Sequence, residues 1–219
     1  MTLDYDPAHA IAHLSAADRR WAQLIGRAGD FGLEIQAMHN PYQSLLRTIV
    51  YQQLSGKAAG TIFARVQALF PRRHPRPELL LELDDAPLRA AGLSRNKLLA
   101  VKDLSRKALD GTLPTLARLR ALDDDAIIER LTSIRGIGRW TVEMMLMFRL
   151  GRSDVLPATD LGIRKGFQLT FCPRAPALPA PRAILELGER WRPYRSLASW
   201  YLYRAVDLEK AARTKSKGK

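Results

Sequence analysis

Two stretches of the chain combine residue types that could do chemistry. The first is LTSIRGIGRWTVEMMLMF, residues 131–148, in which two helix-like runs meet at a turn carrying Gly136 and Gly138. Arg135 and Arg139 flank that turn, and Trp140 and Thr141 stand just inside the second run. Two glycines let the backbone turn tightly and keep side chains out of the way. The N–H groups of the second run's first turn then face outward, and together with the helix dipole they favour a phosphate. The two arginines add charge, so the turn could anchor a nucleic-acid backbone without reading its sequence. An ordinary αα-hairpin with a glycine stop would look the same, and the turn alone does not choose between them. The second stretch is VLPATDLGIRKGF, residues 155–167, which sets Asp160 at a helix entrance after Pro157 and Thr159. Capping the helix is the commoner fate of such an aspartate. A carboxylate held there by helix N–H groups, with Arg164 one turn on, could also place a negative charge against a developing cation.

The GxG pair is not a dinucleotide fingerprint. The segment before it reads as helix rather than strand, and Thr141 occupies the third glycine position. No GxxxxGK[ST] phosphate loop is present. The four histidines, His9, His13, His39 and His74, make no metal site, because the i, i+4 pair His9 and His13 lacks a third ligand.

The elements that must position these residues are helical. Ser15 to Gly29 is expected as one helix, with Ser15 as N-cap and Asp18 in its first turn. Asn40 and Pro41 open a helix reaching residue 54 with a stripe of Leu45, Leu46, Ile49 and Val50. A helix rich in small residues follows over 56–70, and PRRHPRPE at 71–78 then breaks the pattern. A short helix over 84–91 ends at Gly92, and Ser94 caps a long one reaching Leu109. Residues 123–133 and 139–150 flank the glycine turn, and 161–171 follows Asp160. After the linker CPRAPALPAP at 172–181, helices are expected near 182–191 and 194–208, then a basic disordered tail over 209–219. Alternating strands and internal repeats are absent, so the sequence reads as an all-α protein of roughly ten helices.

Bulk properties narrow the class. Lys and Arg total 35 against 22 Asp and Glu in 219 residues, a formal charge of +13. With a pI near 10.4 this points to a polyanionic partner, most simply nucleic acid. Cys172 is the lone cysteine, which excludes intrachain disulfides and four-cysteine zinc or iron–sulfur sites. The acidic start MTLDYDPAHAIAHLS is not a signal peptide, and no apolar run approaches the ~20 residues that span a bilayer. The expected setting is intracellular, cytoplasmic in a bacterium or nuclear in a eukaryote, with no membrane partner.

Taken together, LTSIRGIGRWTVEMML and LPATDLGIRKG resemble the helix-hairpin-helix (HhH-GPD) DNA glycosylases, and within them the DNA-3-methyladenine glycosylase II family. IVYQQLSGKAA (49–59), AGLSRNKLLAVKDLS (91–105) and ERWRPYRSLASWYLYR (189–204) occur in the family's order, so the resemblance runs from about Tyr42 to Val206. It implies two helical subdomains, a barrel over 41–158 bearing the hairpin and a second formed by 1–40 with 159–208, and an active-site cleft between them. It also implies the short form of the family, without an N-terminal β domain.

The resemblance further implies a DNA repair enzyme that flips out an alkylated purine and hydrolyses its N-glycosidic bond, leaving an abasic site. Asp160 matches the family's catalytic carboxylate, whose charge faces the sugar as C1′ gains oxocarbenium character. The family often has a second acidic residue just before it, where this chain has Thr159. Trp140 stands where bifunctional relatives carry a nucleophilic lysine, so Schiff-base lyase chemistry is not expected. Trp140, Tyr203 and Trp200 match or neighbour the base pocket, with Tyr203 at the position whose ring stacks on the flipped base. Because Trp200 and Tyr203 share a helix face, one of them is also expected in the core. Gln53 matches the wedge that fills the gap in the duplex; a helix-capping polar residue is the alternative. Tyr51 and Tyr42 are further candidates for the same cleft.

Arg135, Gly136, Gly138, Arg139 and Thr141 match the phosphate-binding hairpin. The main-chain carbonyls of Thr132, Ile134 and Ile137 match a structural sodium or potassium site, and no cofactor is implied for catalysis. The partner is double-stranded DNA containing damaged bases, met by a monomer. A glycosylase for another lesion, such as a deaminated purine or an exocyclic adduct, and a non-catalytic damaged-DNA-binding module remain the alternatives.

Overall fold

A computed structural model describes residues 3–217. Among these residues the regular structure is thirteen α-helices with short 3-10 turns and one π-helical stretch, and no strand. The all-α expectation holds. The helices are α1 (Pro7–Ala17), α2 (Arg19–Ala28), α3 (Pro41–Tyr51), α4 (Gly56–Ala68), α5 (Pro77–Glu82), α6 (Asp85–Ala90), α7 (Arg95–Leu109), α8 (Leu116–Ala121), α9 (Asp124–Thr132), α10 (Arg139–Met145), α11 (Leu161–Phe171), α12 (Pro181–Gly188) and α13 (Arg195–Lys217).

The chain divides into two compact units, residues 38–142 and residues 1–37 with 143–219. The border expected at 158–159 therefore lies earlier, inside α10. The reason is packing: Leu156 and Ala158, in the run before α11, belong to the same core as Ile163, Phe167, Leu197 and Leu202. Gln36 N–H also donates to the Phe148 carbonyl at 2.9 Å, tying the N-terminal segment to the chain beyond residue 142.

In the unit of residues 38–142, Asn40 caps α3 and Ser94 caps α7 through side-chain acceptance from Gln43 and Lys97 N–H. The α3 stripe of Leu45, Leu46, Ile49 and Val50 is buried as its spacing requires, beside α7 residues Leu98, Val101 and Leu104. Tyr42 belongs to this interior. Its hydroxyl shares a buried 2.9 Å hydrogen bond with Ser105, and burial raises its phenol to about 12. It is a core residue and not an open cleft wall. Tyr51 is half-buried beneath the Arg47 guanidinium, which lies 3.9 Å from the ring centre.

In the other unit, an aromatic core forms around Trp191. Trp21 meets it edge-on at 5.0 Å and Phe171 stacks on it at 5.4 Å. The single helix expected over 15–29 is two helices. Asp18 adopts an extended backbone and caps α2 by accepting from Arg20 N–H at 2.9 Å, so it ends one helix and begins the next. The tail expected to be disordered is helical to Lys217, because Ala211 and Ala212 favour helix and Glu209 pairs with Arg213 at i, i+4. Residues 218 and 219 lie outside the described residues.

Candidate active site and nucleic-acid interface

Asp160 is the N-cap of α11. Its backbone is extended (φ −67°, ψ 135°), and its carboxylate accepts the Ile163 N–H at 3.0 Å. The run that delivers it is clasped to the start of α13. Val155 N–H donates to Ser196 Oγ at 3.0 Å, and Ser199 Oγ donates to the Val155 carbonyl at 2.9 Å, both buried. One residue earlier, the Arg195 guanidinium donates to the Asp154 carboxylate at 2.6 Å and to the Asp154 carbonyl at 3.0 Å. The Asp154 carboxylate also binds Arg192.

The helix after Asp160 is fitted to α13 by glycines. A Cβ at Gly166 would stand 2.1 Å from the Leu202 carbonyl oxygen, and one at Gly162 would stand 2.8 Å from Tyr203 Cε1 and 3.0 Å from Asp160 Oδ1. Only a bare backbone permits this approach. The result is that Tyr203 and Asp160 meet. Tyr203 Cε1 and Asp160 Oδ1 both border the Gly162 Cβ position, and the Tyr203 hydroxyl has Met144 Sδ as a weak neighbour at 4.0 Å. Burial first, then the Asp160 charge and hydrogen bond, then the Glu143 charge, push the Tyr203 phenol well above its ordinary range.

The other expected neighbours of Asp160 point elsewhere. Arg164 directs Nε to the Pro179 carbonyl at 3.0 Å. Lys165 pairs with Glu209 at 3.3 Å. Trp200, one turn before Tyr203, packs edge-on against Phe31 at 5.0 Å and lies 3.8 Å from the Cβ position of Gly32. Thr159 is exposed.

In the unit of residues 38–142, the glycine turn is built from residues with separable tasks. Asp123 caps α9, accepting from Ala126 N–H at 2.7 Å, and Ile134 and Ile137 are buried beneath the turn. Gly136 has φ +81°, and a Cβ there would press on Ala100 of α7 at 3.1 Å. Gly138 is different: it lacks a positive φ, and nothing lies within 4 Å of its Cβ position. Its carbonyl accepts the first helical bond of α10 from Val142 N–H at 3.2 Å. Arg135, Gly138, Arg139 and Trp140 are exposed, Trp140 by 49%.

Two side chains distant in sequence hold the turn in place. Gln52 Nε2 donates to the Gly136 carbonyl at 2.8 Å, and Asp103 accepts the Arg135 N–H at 2.8 Å. The Arg135 backbone N–H therefore has a protein acceptor, while the residue itself is exposed. Lys97 Nζ donates to the carbonyls of Val50 and Gln52, each at 2.7 Å, which fixes the end of α3; burial pushes its ammonium down from its ordinary value. Gln53 comes directly after, exposed and strained at φ +56°. This is the third position of a turn that closes α3, with Gln52 extended before it and Leu54 N–H donating to the Tyr51 carbonyl at 3.4 Å.

Residues 46–193 match the HhH-GPD superfamily of base excision DNA repair proteins. The chain belongs to this superfamily. Among known HhH-GPD relatives, it is 36% identical to DNA-3-methyladenine glycosylase 1 of Schizosaccharomyces pombe over 95% of each chain. Two solved structures resemble it along nearly their whole length. One is the S. pombe 3-methyladenine DNA glycosylase in complex with abasic DNA, with TM-score 0.75, 37% identity, and coverage of 90% of this chain and 95% of that one. The other is a DNA-3-methyladenine glycosidase from Bacillus halodurans, with TM-score 0.81, 35% identity, and coverage of 93% and 91%. Among the described residues of this HhH-GPD chain, no cluster of His, Cys, Asp and Glu could hold a metal, and no helix is long and apolar enough to cross a membrane.

Several functional candidates were missed by sequence reading. Gln52, Lys97 and Asp103 gave no signal, because their partners lie far along the chain. Gly162 and Gly166 did carry one, the small-xxx-small spacing that marks close helix contact.

Proposed function

We propose that this protein is a DNA glycosylase that flips alkylated purines of the 3-methyladenine and 7-methylguanine type out of duplex DNA and hydrolyses their N-glycosidic bond, leaving an abasic site. The observation that carries this reading is Asp160 at the head of α11 with Tyr203 against it, in a chain 36% identical over 95% of its length to a DNA-3-methyladenine glycosylase.

As the base departs, C1′ acquires oxocarbenium character, and the Asp160 carboxylate stabilises that charge and orients the attacking water. N3 or N7 alkylation already makes the purine a cationic leaving group, so no general acid on the base is needed. The aromatic face of Tyr203 attracts such a ring. Gln53 fills the gap left in the duplex. Arg135, Gly136, Gly138, Arg139 and Thr141 hold the phosphate backbone, and the bare Cβ position of Gly138 is the feature that supports this best.

The Thr132, Ile134 and Ile137 carbonyls offer a hard, uncharged oxygen set suited to a sodium or potassium ion. The Ile134 carbonyl accepts the Ile137 N–H at 3.0 Å and keeps a second lone pair for it. The ion would brace the turn and takes no part in bond cleavage. The protein acts as a monomer on double-stranded DNA. No amine stands at the Trp140 position, so strands stay intact after base release.

The test incubates the protein and Asp160→Asn with N-methylated duplex DNA. Wild type should release 3-methyladenine or 7-methylguanine, leave strands uncut until alkali is added, and give no borohydride-trapped adduct. Asp160→Asn should release none while still binding abasic duplex. Release by neither protein would remove the reading, and trapping of a covalent adduct would remove its hydrolytic part.

A further inference from the structure

We propose that Lys97 is a positioning residue for Gln53: by holding the Gln52 carbonyl, its ammonium locks the turn after α3 in the form that sets the direction of the Gln53 side chain. This rests on the reading of Gln53 as the wedge.

Residues 51–54 form a type II turn. Gln52, its second residue, has φ −53° and ψ 134°, and Gln53, its third, has φ +56°. Leu54 N–H closes the turn on the Tyr51 carbonyl at 3.4 Å. The third position of such a turn favours glycine or asparagine, so an exposed glutamine there is held against its own preference. A type I turn over the same four residues would relieve it. The two forms share φ at the second residue and differ by rotation of the peptide that follows. Its ψ moves from about +120° to about −30°, and the next φ from about +80° to about −90°. The Gln52 carbonyl belongs to that peptide.

Lys97 Nζ donates to the Gln52 carbonyl and to the Val50 carbonyl, each at 2.7 Å. The Val50 oxygen, in the last turn of α3, holds the ammonium in place, and rotation of the peptide would carry the Gln52 oxygen away from it. The bond from the Gln52 side chain to the Gly136 carbonyl, at 2.8 Å, does not oppose that rotation, because φ of Gln52 is common to both forms. The choice between them therefore falls to Lys97. Its place in α7 agrees. Lys97 stands in the first turn of that helix, behind the Ser94 cap, where a positive charge opposes the helix dipole. The same charge is favourable where it is delivered, on the last carbonyls of α3.

The experiment combines Lys97→Met, which keeps the apolar stem, with Gln53→Gly and Gln53→Ala, singly and in pairs. Lys97→Gln, one bond shorter and uncharged, takes its place if the Met variant does not fold. Thermal unfolding reads the turn. Gln53→Gly should raise the wild-type midpoint by about 2–4 °C, because glycine adopts positive φ freely. In Lys97→Met the turn relaxes to type I, and the same change should lower the midpoint, since glycine then brings only extra freedom to the unfolded chain. Fluorescence anisotropy reads the consequence, as preference for a duplex with a tetrahydrofuran abasic analogue over undamaged duplex. Lys97→Met should lose about tenfold of that preference, and Lys97→Met with Gln53→Ala should lose no more than Gln53→Ala alone. An equal glycine gain with and without Lys97 overturns the proposal. So does additivity of the two losses, or a wild-type preference in Lys97→Met where Gln53→Ala has lost its own. Full preference in Gln53→Ala would instead bring down the wedge reading of Gln53, whatever the glycine midpoints do.

Discussion

Gly136 and Gly138 stand two residues apart in one turn, and their alanine variants should fail in opposite ways. Gly136 has φ +81°, a conformation that costs an L-residue about 1–2 kcal/mol, and its new methyl would press on Ala100 Cβ at 3.1 Å. The expected loss is about 2 kcal/mol of stability, or about 4–8 °C in melting midpoint for a chain of this size. Gly138 lacks a positive φ, and nothing lies within 4 Å of its Cβ position. Alanine there gains from the unfolded chain but is a poorer residue than glycine ahead of the first turn of α10, so stability should change by no more than about 1 kcal/mol. On the proposed reading, the open space beside Gly138 is where a phosphate sits. A methyl in that space would push the phosphate away from the α10 N-terminus. Loss of one charge-assisted contact, about 1.5 kcal/mol, weakens binding about tenfold. The assays are thermal unfolding and fluorescence-anisotropy titration of an abasic duplex at several salt concentrations. Gly138→Ala should bind about tenfold more weakly with a salt slope shallower by about 0.9, with a midpoint shifted less than that of Gly136→Ala. Normal binding by Gly138→Ala would refute the phosphate argument. A midpoint unchanged in Gly136→Ala would refute the conformational one.

Two further outcomes are expected from other parts of the molecule. Gly166→Ala places a methyl 2.1 Å from the Leu202 carbonyl oxygen, so α11 and α13 must part; a loss of about 3 kcal/mol or more is expected in urea unfolding, with base release slowed in the folded fraction. Asp18 is held down to about 2, chiefly by the hydrogen bond from the Arg20 guanidinium, against 3.8 when unperturbed. Because its folded value is depressed, its stabilisation is present above pH 4 and lost as pH falls from about 4 to 2. After allowance for the partly exposed Arg20, Asp18→Asn should cost about 1 kcal/mol at pH 7 and nothing near pH 2, so a gap between the two melting curves that persists at pH 2 would contradict this origin.

Local chemistry made much of the fold legible. Asn40, Ser94 and Asp160 were identifiable as caps from residue type and the apolar pattern behind them, and α7 and α11 begin where those caps require. Residues 15–29 misled because helical periodicity continues across Asp18, while a side chain bonding its own helix start decides the break. The tail misled because a run of lysines suggests disorder, whereas alanines and an i, i+4 pair extend α13. At the candidate site, residue types marked Asp160 and the glycine turn but not what surrounds them. Arg164 and Trp200 are near Asp160 and Tyr203 in sequence, yet their side chains pack on Pro179 and Phe31. Conversely, Gln52 reaches Gly136, and Lys97 reaches the end of α3, across sequence separations that no local pattern encodes.

The chain on both sides of Asp160 is held by α13. Ahead of Asp160, Arg195, Ser196 and Ser199 of this helix clasp residues 154 and 155, with the two serine hydroxyls buried. Behind Asp160, the backbone at Leu202 admits Gly166 at a distance no other residue could accept. Directly after Leu202 the same helix brings Tyr203 beside Gly162 and the Asp160 carboxylate. Chain on both sides of Asp160 is thus referenced to a single rigid element, and a small displacement of α13 would move support and carboxylate together. The segments around Gln53 and the glycine turn, which belong to residues 38–142, are set by their own tethers at Gln52, Lys97 and Asp103. On the proposed reading, positioning of the carboxylate and grip on the nucleic acid fall in separate stretches of the chain, and substitutions in one should alter rate or affinity without the other.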